Sequence, residues 1–157
     1  MNVVKMTEEY ACFISSWKYD GIYSFYDHNE NGIADFMDGT HFACLDENDK
    51  LIGYFCFGAD ARIPTVENYI YTEDFLDIGL GLKPDLCGKG LGLAFINKGL
   101  DFAQKHFNIT KFRLSVAVFN ERAINVYLKA GFSIKCEVTN SYHKNKFVIM
   151  VNRGWKI

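Results

Sequence analysis

The sequence predicts a mixed α/β fold of α+β character: a central, mostly antiparallel sheet of six to seven strands, flanked by helices, with one βαβ unit in its middle. Two pairs of apolar runs, 41–45 with 51–58 and 133–139 with 147–152, are each joined by a short polar stretch, which is the pattern of antiparallel hairpins. Between them stand an apolar run at 76–82, an amphipathic stretch at 90–107 and an alternating stretch at 111–118, in the order strand, helix, strand. No repeat, low-complexity tract or Pro/Ser-rich linker offers a boundary, and 157 residues fit one domain, 1–157.

Taken in order, residues 2–5 read as a short first strand, and Thr7-Glu8-Glu9 opens a helix running through Tyr10, Phe13, Ile14 and Trp17. A second helical stretch covers Ile22, Phe25 and Tyr26, and 27–39, polar and glycine-bearing, reads as loop. The five residues 46–50 turn the first hairpin, and 59–73 show no periodicity that assigns them. Pro84 stops the 76–82 strand because it has no N–H to donate. Within 90–107, Leu93, Ile96, Leu100, Ala103 and Phe107 recur at spacings of 3, 4, 3 and 4, with Asn97, Lys98, Asp101, Gln104 and Lys105 on another side. Along 111–118, Phe112, Leu114, Val116 and Val118 alternate with Arg113, Ser115 and Ala117. Residues 120–130 read as a helix capped by Asn120 and stopped by Gly131.

Composition bounds the function. Half the residues are apolar and 23% charged, and fourteen Phe with nine Tyr point to a well-filled core. No run approaches the roughly 20 apolar residues of a membrane span, and the start carries no basic-then-apolar leader, so a cytoplasmic location without a membrane partner is expected. Cys12, Cys44, Cys56, Cys87 and Cys136 are odd in number and form no CxxC pair; they read as reduced thiols, neither a disulfide frame nor a zinc site, and no metal is expected. His41, His106 and His143 fall in no recognisable pairing.

The net charge of −2 conceals an asymmetry: residues 1–77 hold fifteen Asp/Glu against four Lys/Arg, and residues 78–157 hold four against thirteen. One reading is solvated loops. The other is a basic half that meets an anionic ligand and an acidic half, through Asp20, Asp27, Glu30, Asp35 and 73–77, that receives a cationic one. No short basic tract suggests a nucleic-acid partner.

The segment 77–92 places Gly88, Gly90 and Gly92 between a strand and the first turn of the longest helix. Unpaired N–H groups at a helix start, approached through glycines, form an anion site; a glycine-rich turn without a ligand is the plainer alternative. A Walker A loop fails, because Gly90 follows Lys89 and Lys83 stands where the first glycine belongs. A dinucleotide fingerprint fails because no third glycine is in register.

What the segment resembles is the GCN5-related N-acetyltransferase (GNAT) family, whose R/Q-x-x-G-x-G/A motif follows a strand and a Pro-containing turn. Cys87 stands here in place of the Arg or Gln. A second motif, Asn120-Glu-Arg-Ala-Ile-Asn-Val-Tyr127-Leu-Lys-Ala-Gly-Phe132, is similar to the family's N-x-x-A-x-x-x-Y-x-K-x-G-F, and the resemblance runs from about residue 41 to the end. A likeness to the ribosomal-protein-alanine acetyltransferase group rests on the same pair of motifs.

The resemblance implies acetyl transfer from acetyl-CoA to a primary amine, on a small molecule or a protein N-terminus, by direct attack. It implies that the strand at 76–82 splays from its neighbour, with Leu80 and Leu82 offering backbone partners to the pantetheine arm. Cys87, Gly88, Lys89, Gly90, Leu91, Gly92 and Leu93 would cradle the pyrophosphate, and Asn120 would contact pantetheine unless it serves only as a helix cap. Tyr127 is the expected general acid for the leaving thiolate, with plain packing as its alternative. Asp77 is the expected base, although alternation sends it to the face opposite Leu80 and Leu82; a surface carboxylate or loop cap is its other reading. A non-catalytic acyl-CoA sensor of the same fold is the competing function, and a second copy of the chain is entertained as a partner.

Overall fold

The computed structural model describes residues 1–28 and 32–155. Among these residues seven strands form one sheet: β1 (Asn2–Lys5), β2 (His41–Leu45), β3 (Leu51–Phe57), β4 (Leu76–Leu82), β5 (Phe112–Ala117), β6 (Ser133–Thr139) and β7 (Lys146–Asn152). Their order is β1-β2-β3-β4-β5-β7-β6, antiparallel except where β4 meets β5. The helices are α1 (Glu8–Ser15), α2 (Gly32–Phe36), α3 (Gly92–Phe107) and α4 (Glu121–Lys129). Among the described residues no helix is long and apolar enough to cross a membrane.

Local chemistry sets the helix ends. Thr7 Oγ1 accepts from Tyr10 N at 3.2 Å and Asn120 Oδ1 from Ala123 N at 3.2 Å, so α1 and α4 each begin on a side-chain cap. Asn108, left-handed at φ 54°, follows α3, and Gly131 at φ 96° turns the chain away from α4. The stretch expected to be loop at 27–39 contains α2, a five-residue helix too short for its period to show in a polar sequence. Residues 21–26 form a 3₁₀ turn, and Ala59–Ala61 a shorter one in the segment that the sequence leaves unassigned.

The two sheet faces are covered differently. Phe55, Phe57 and Ile78 from β3 and β4, with Leu114, Val116, Val148 and Met150, bury against Phe95, Ile96, Leu100 and Ala103 of α3. Burial of a side chain of this size is worth about 1.5–3 kcal/mol, which makes this layer the main core. On the other face Ala11, Ile14, Trp17 and Phe36 pack on Ala43 and Tyr54, while Phe25 and Phe119 pack on Ala117, Phe147 and Ile149. Those two patches lie on either side of β4, and the strip between them is left open.

Candidate active site

The opening comes from β4. Its parallel ladder with β5 has two rungs, Leu76↔Phe112 and Asp77↔Arg113, whereas β3 follows β4 from Ile78 to Leu82. Lys83 N donates to Ile52 O at 2.8 Å and Gly58 N to Asp77 O at 2.9 Å. By the alternation of an antiparallel pair, the odd-numbered residues of β4 bond to β3, and the backbone groups of Ile78, Leu80 and Leu82 face β5. The Asp77↔Arg113 rung takes up the Ile78 N–H, and past it no rung receives Leu80 or Leu82. Leu80 and Leu82 thus lie on an opened sheet edge with unpaired N–H groups that an extended amide chain can join.

What fixes the point of divergence is Asp77 itself. Arg113 Nε and Nη2 donate to its two carboxylate oxygens, both at 2.7 Å, and Arg62 Nε adds a third bond at 2.9 Å. Asp77 and Arg113 are each 1% exposed, and the Arg113 guanidinium also lies 5.0 Å from the Tyr71 ring centroid and bonds Thr72 O at 3.0 Å. Asp77 does not line the cleft, and its carboxylate is saturated by two cations. The structure therefore does not bring the expected base to the reaction site; it makes Asp77 the clasp on the last rung before the strands part.

A cleft of about 930 Å³ runs through the gap. At one end are Cys87, Gly88, Gly90, Gly92 and Leu93, the turn into α3. Gly88 and Gly90 take φ of 73° and 80°, a left-handed backbone that side chains resist, and a Cβ on Gly92 would lie 3.1 Å from Val126 Cγ2. The glycines thus serve a close approach to backbone N–H groups and to α4. Lys89 and Leu91 belong to the same turn without lining the cleft.

In the middle, Leu114, Ser115 and Val116 face β4 across the gap, and Ser115 Oγ is buried without a partner among the described residues. Tyr127 lines the same stretch, its ring 6.2 Å from Phe132. Burial, with a smaller effect from Tyr26, pushes its phenol well above the ordinary range, so the hydroxyl keeps its proton. Asn120 caps α4 through Oδ1 and donates through Nδ2 to Tyr26 Oη at 3.1 Å. Tyr19 Oη donates to Leu82 O at 2.9 Å. Two tyrosines of the 19–26 segment therefore engage groups on the two walls of the gap.

The far end is aromatic and acidic. Phe36 meets His28, His41 and Tyr54 edge-on, with ring centroids 5.0–5.1 Å apart, and Asp27, Asp35 and Asp60 complete the rim. His41 Nδ1 lies 2.9 Å from Asp38 Oδ1, a pairing that the sequence does not reveal. Burial, the largest influence on His28, pushes its pKa down, and its Nε2 has no partner among the described residues. The acidic mouth differs from the expected one: Glu73, Asp74 and Asp77 are committed to Arg62, Lys111 and Arg113, and Glu30 lies outside the described residues.

The sheet is thus opened beside a glycine turn, with a protonated phenol within the gap. The profile of the acetyltransferase (GNAT) family matches residues 5–132. The chain belongs to the GNAT family. Spermidine N(1)-acetyltransferase of Escherichia coli strain K12 is 25% identical over 100 residues, 64% of this chain and 54% of that protein. The Vibrio cholerae spermidine N(1)-acetyltransferase is 34% identical over 65 residues, 41% of this chain and 36% of that protein. The match thus spans about half, or less, of the length of these curated relatives. A chimaeric spermidine N-acetyltransferase from Vibrio cholerae and hSSAT superposes with a TM-score of 0.73 at 18% identity, covering 97% of this chain and 94% of that one. A GNAT acetyltransferase from Bacillus anthracis gives 0.71 at 13% identity, covering 95% and 92%. At those identities the likeness is one of fold.

Proposed function

We propose that the chain is an acetyl-CoA-dependent N-acetyltransferase acting on a cationic primary amine of the polyamine class. The observation that carries this is the gap beyond the Asp77–Arg113 rung, which joins the glycine turn to the acidic, aromatic mouth in one cleft. The residues fit the cofactor: an anion cradle at Gly88 to Gly92, then the unpaired N–H groups of Leu80 and Leu82 for its pantetheine arm.

Bound acetyl-CoA supplies the acetyl thioester. The Leu80 N–H, held on the open edge, polarises the carbonyl, and Tyr127 gives its proton to the departing thiolate. The ammonium enters between Phe36 and Tyr54, drawn by Asp27, Asp35 and Asp60 and favoured by the ring faces. It loses its first proton to the imidazoles at that end. His28 is kept neutral by burial and His41 is oriented by Asp38. The second proton leaves the nitrogen as the amide forms and restores Tyr127. Relatives that acetylate spermidine support this acceptor class. Five free thiols suit a reducing compartment, the cytoplasm.

The test is thiol release from acetyl-CoA with spermidine, neutral amines, amino acids and alanine-starting peptides. Turnover with spermidine above the others is expected. CoA binding without turnover on any amine would make the chain a sensor, and absence of CoA binding would remove the reading altogether.

A further inference from the structure

The glycine turn presents backbone donors, and a pyrophosphate carries two negative charges that the neutral Cys87, Gly88 and Gly90 cannot balance. Nearby cations are mostly committed or misplaced. Lys83 pairs with Asp85 at 3.6 Å, Lys89 does not line the cleft, Arg62 is held by Asp77 and Glu73, and Lys129 lines the cleft from the last turn of α4, at the end away from the glycine turn. Arg122 differs. It is in the first turn of α4, lines the cleft and forms no ion pair among the described residues. Its Nη1 is 3.1 Å from the position that a Cβ on Gly88 would take. Its guanidinium rests on the Tyr23 ring, 4.4 Å from the centroid.

We infer that Arg122, clamped by Tyr23 against Gly88, is the cation that binds the pyrophosphate of the cofactor. This rests on the acetyl-CoA reading above and adds the residue that supplies its charge. An unpaired guanidinium is a planar donor suited to two phosphate oxygens at once, and stacking on an aromatic ring holds it in place before the ligand arrives. Glycine at 88 then has two causes: the left-handed φ, and the space that Arg122 needs. The 21–26 turn also gains a role, since through Tyr23 it sets the geometry of the phosphate end while Tyr26 engages Asn120.

The experiment is calorimetric titration of the full chain and its Arg122→Gln variant with CoA, with dephospho-CoA, which keeps the pyrophosphate, and with pantetheine, which has no phosphate. Loss of one charge-assisted contact should raise the Kd of the first two ligands about tenfold to a hundredfold and leave pantetheine unchanged. Tyr23→Leu should give a smaller loss with the same ligand pattern. Adding Cys87→Arg to Arg122→Gln should recover part of the affinity by returning a cation to the turn. Equal CoA affinity in wild type and Arg122→Gln would overturn the inference, and so would a loss confined to CoA, which would assign Arg122 to the 3′-phosphate. Failure of the wild-type chain to bind CoA would instead remove the acetyl-CoA reading on which the inference stands.

Discussion

At the scale of single residues, Tyr127 and Asp77 exchange emphasis. The Tyr127 hydroxyl is buried in the gap and holds its proton, as a donor to a thiolate must. Tyr127→Phe should lower kcat about 10²-fold while leaving CoA affinity nearly unchanged, as steady-state kinetics and calorimetry would show. Equal turnover would reduce Tyr127 to packing. Asp77 belongs to stability. Removing one partner of a buried pair strands the other charge, so Asp77→Ala should cost about 3–5 kcal/mol in a urea melt. Retained stability with lost activity would return Asp77 to the role of base.

His28 adds a dependence on pH. Burial holds its folded pKa below the ordinary 6.5, with Asp27 and Asp35 opposing that shift and His41 and Lys18 adding to it. The unfolded chain therefore binds this proton first. Its contribution to stability is complete above about pH 6.5 and falls as the pH drops through and below that value. Thermal melts at pH 7.5 and 5.5 should show wild type losing more than His28→Gln; equal losses would mean that His28 is not held neutral.

At the scale of elements, the cofactor half of the cleft is the legible half. The glycine turn, the 76–82 strand stopped by Pro84 and the cap at Asn120 are local in sequence, and local chemistry fixes them. Gly90 illustrates the point: nothing lies within 4 Å of where its Cβ would be, yet φ is 80°. The penalty for Gly90→Val is thus conformational, about 1–2 kcal/mol, and it falls on a turn whose N–H groups must point one way. A folded Gly90→Val variant should bind CoA at least about tenfold more weakly by calorimetry. The acceptor half is not local. Phe36, His41 and Tyr54 come from α2, β2 and β3 and meet only after the hairpin folds onto the sheet. The place of Asp77 is illegible for the same reason, since its partner lies 36 residues on; the available signal is that both are charges on strand positions facing away from the main core. Arg122 had a weaker signal, a cation two residues past a helix cap and opposite the glycine turn.

At the scale of the whole molecule, the charge division seen in the sequence survives in altered form. The acidic half reaches the cleft through Asp27, Asp35 and Asp60, whereas Glu73, Asp74 and Asp77 are spent on ion pairs. Cationic amines should still be preferred, and the preference should weaken with salt, because charges beyond the Debye length of about 8 Å at physiological ionic strength are screened. Values of kcat/KM for a diamine and its neutral monoamine analogue at low and high salt would check this. Matching values at low salt would contradict it.

The open edge of β4 is where the pantetheine arm of CoA is proposed to pair. Amide hydrogen exchange, resolved by residue with and without CoA, reads that edge directly. Leu80 and Leu82 should gain protection when CoA binds, while Ile78, whose N–H is taken by the Asp77↔Arg113 rung, and Gly79 and Gly81, already bonded to β3, should change little. Saturating CoA that leaves Leu80 and Leu82 as exchangeable as before would contradict it.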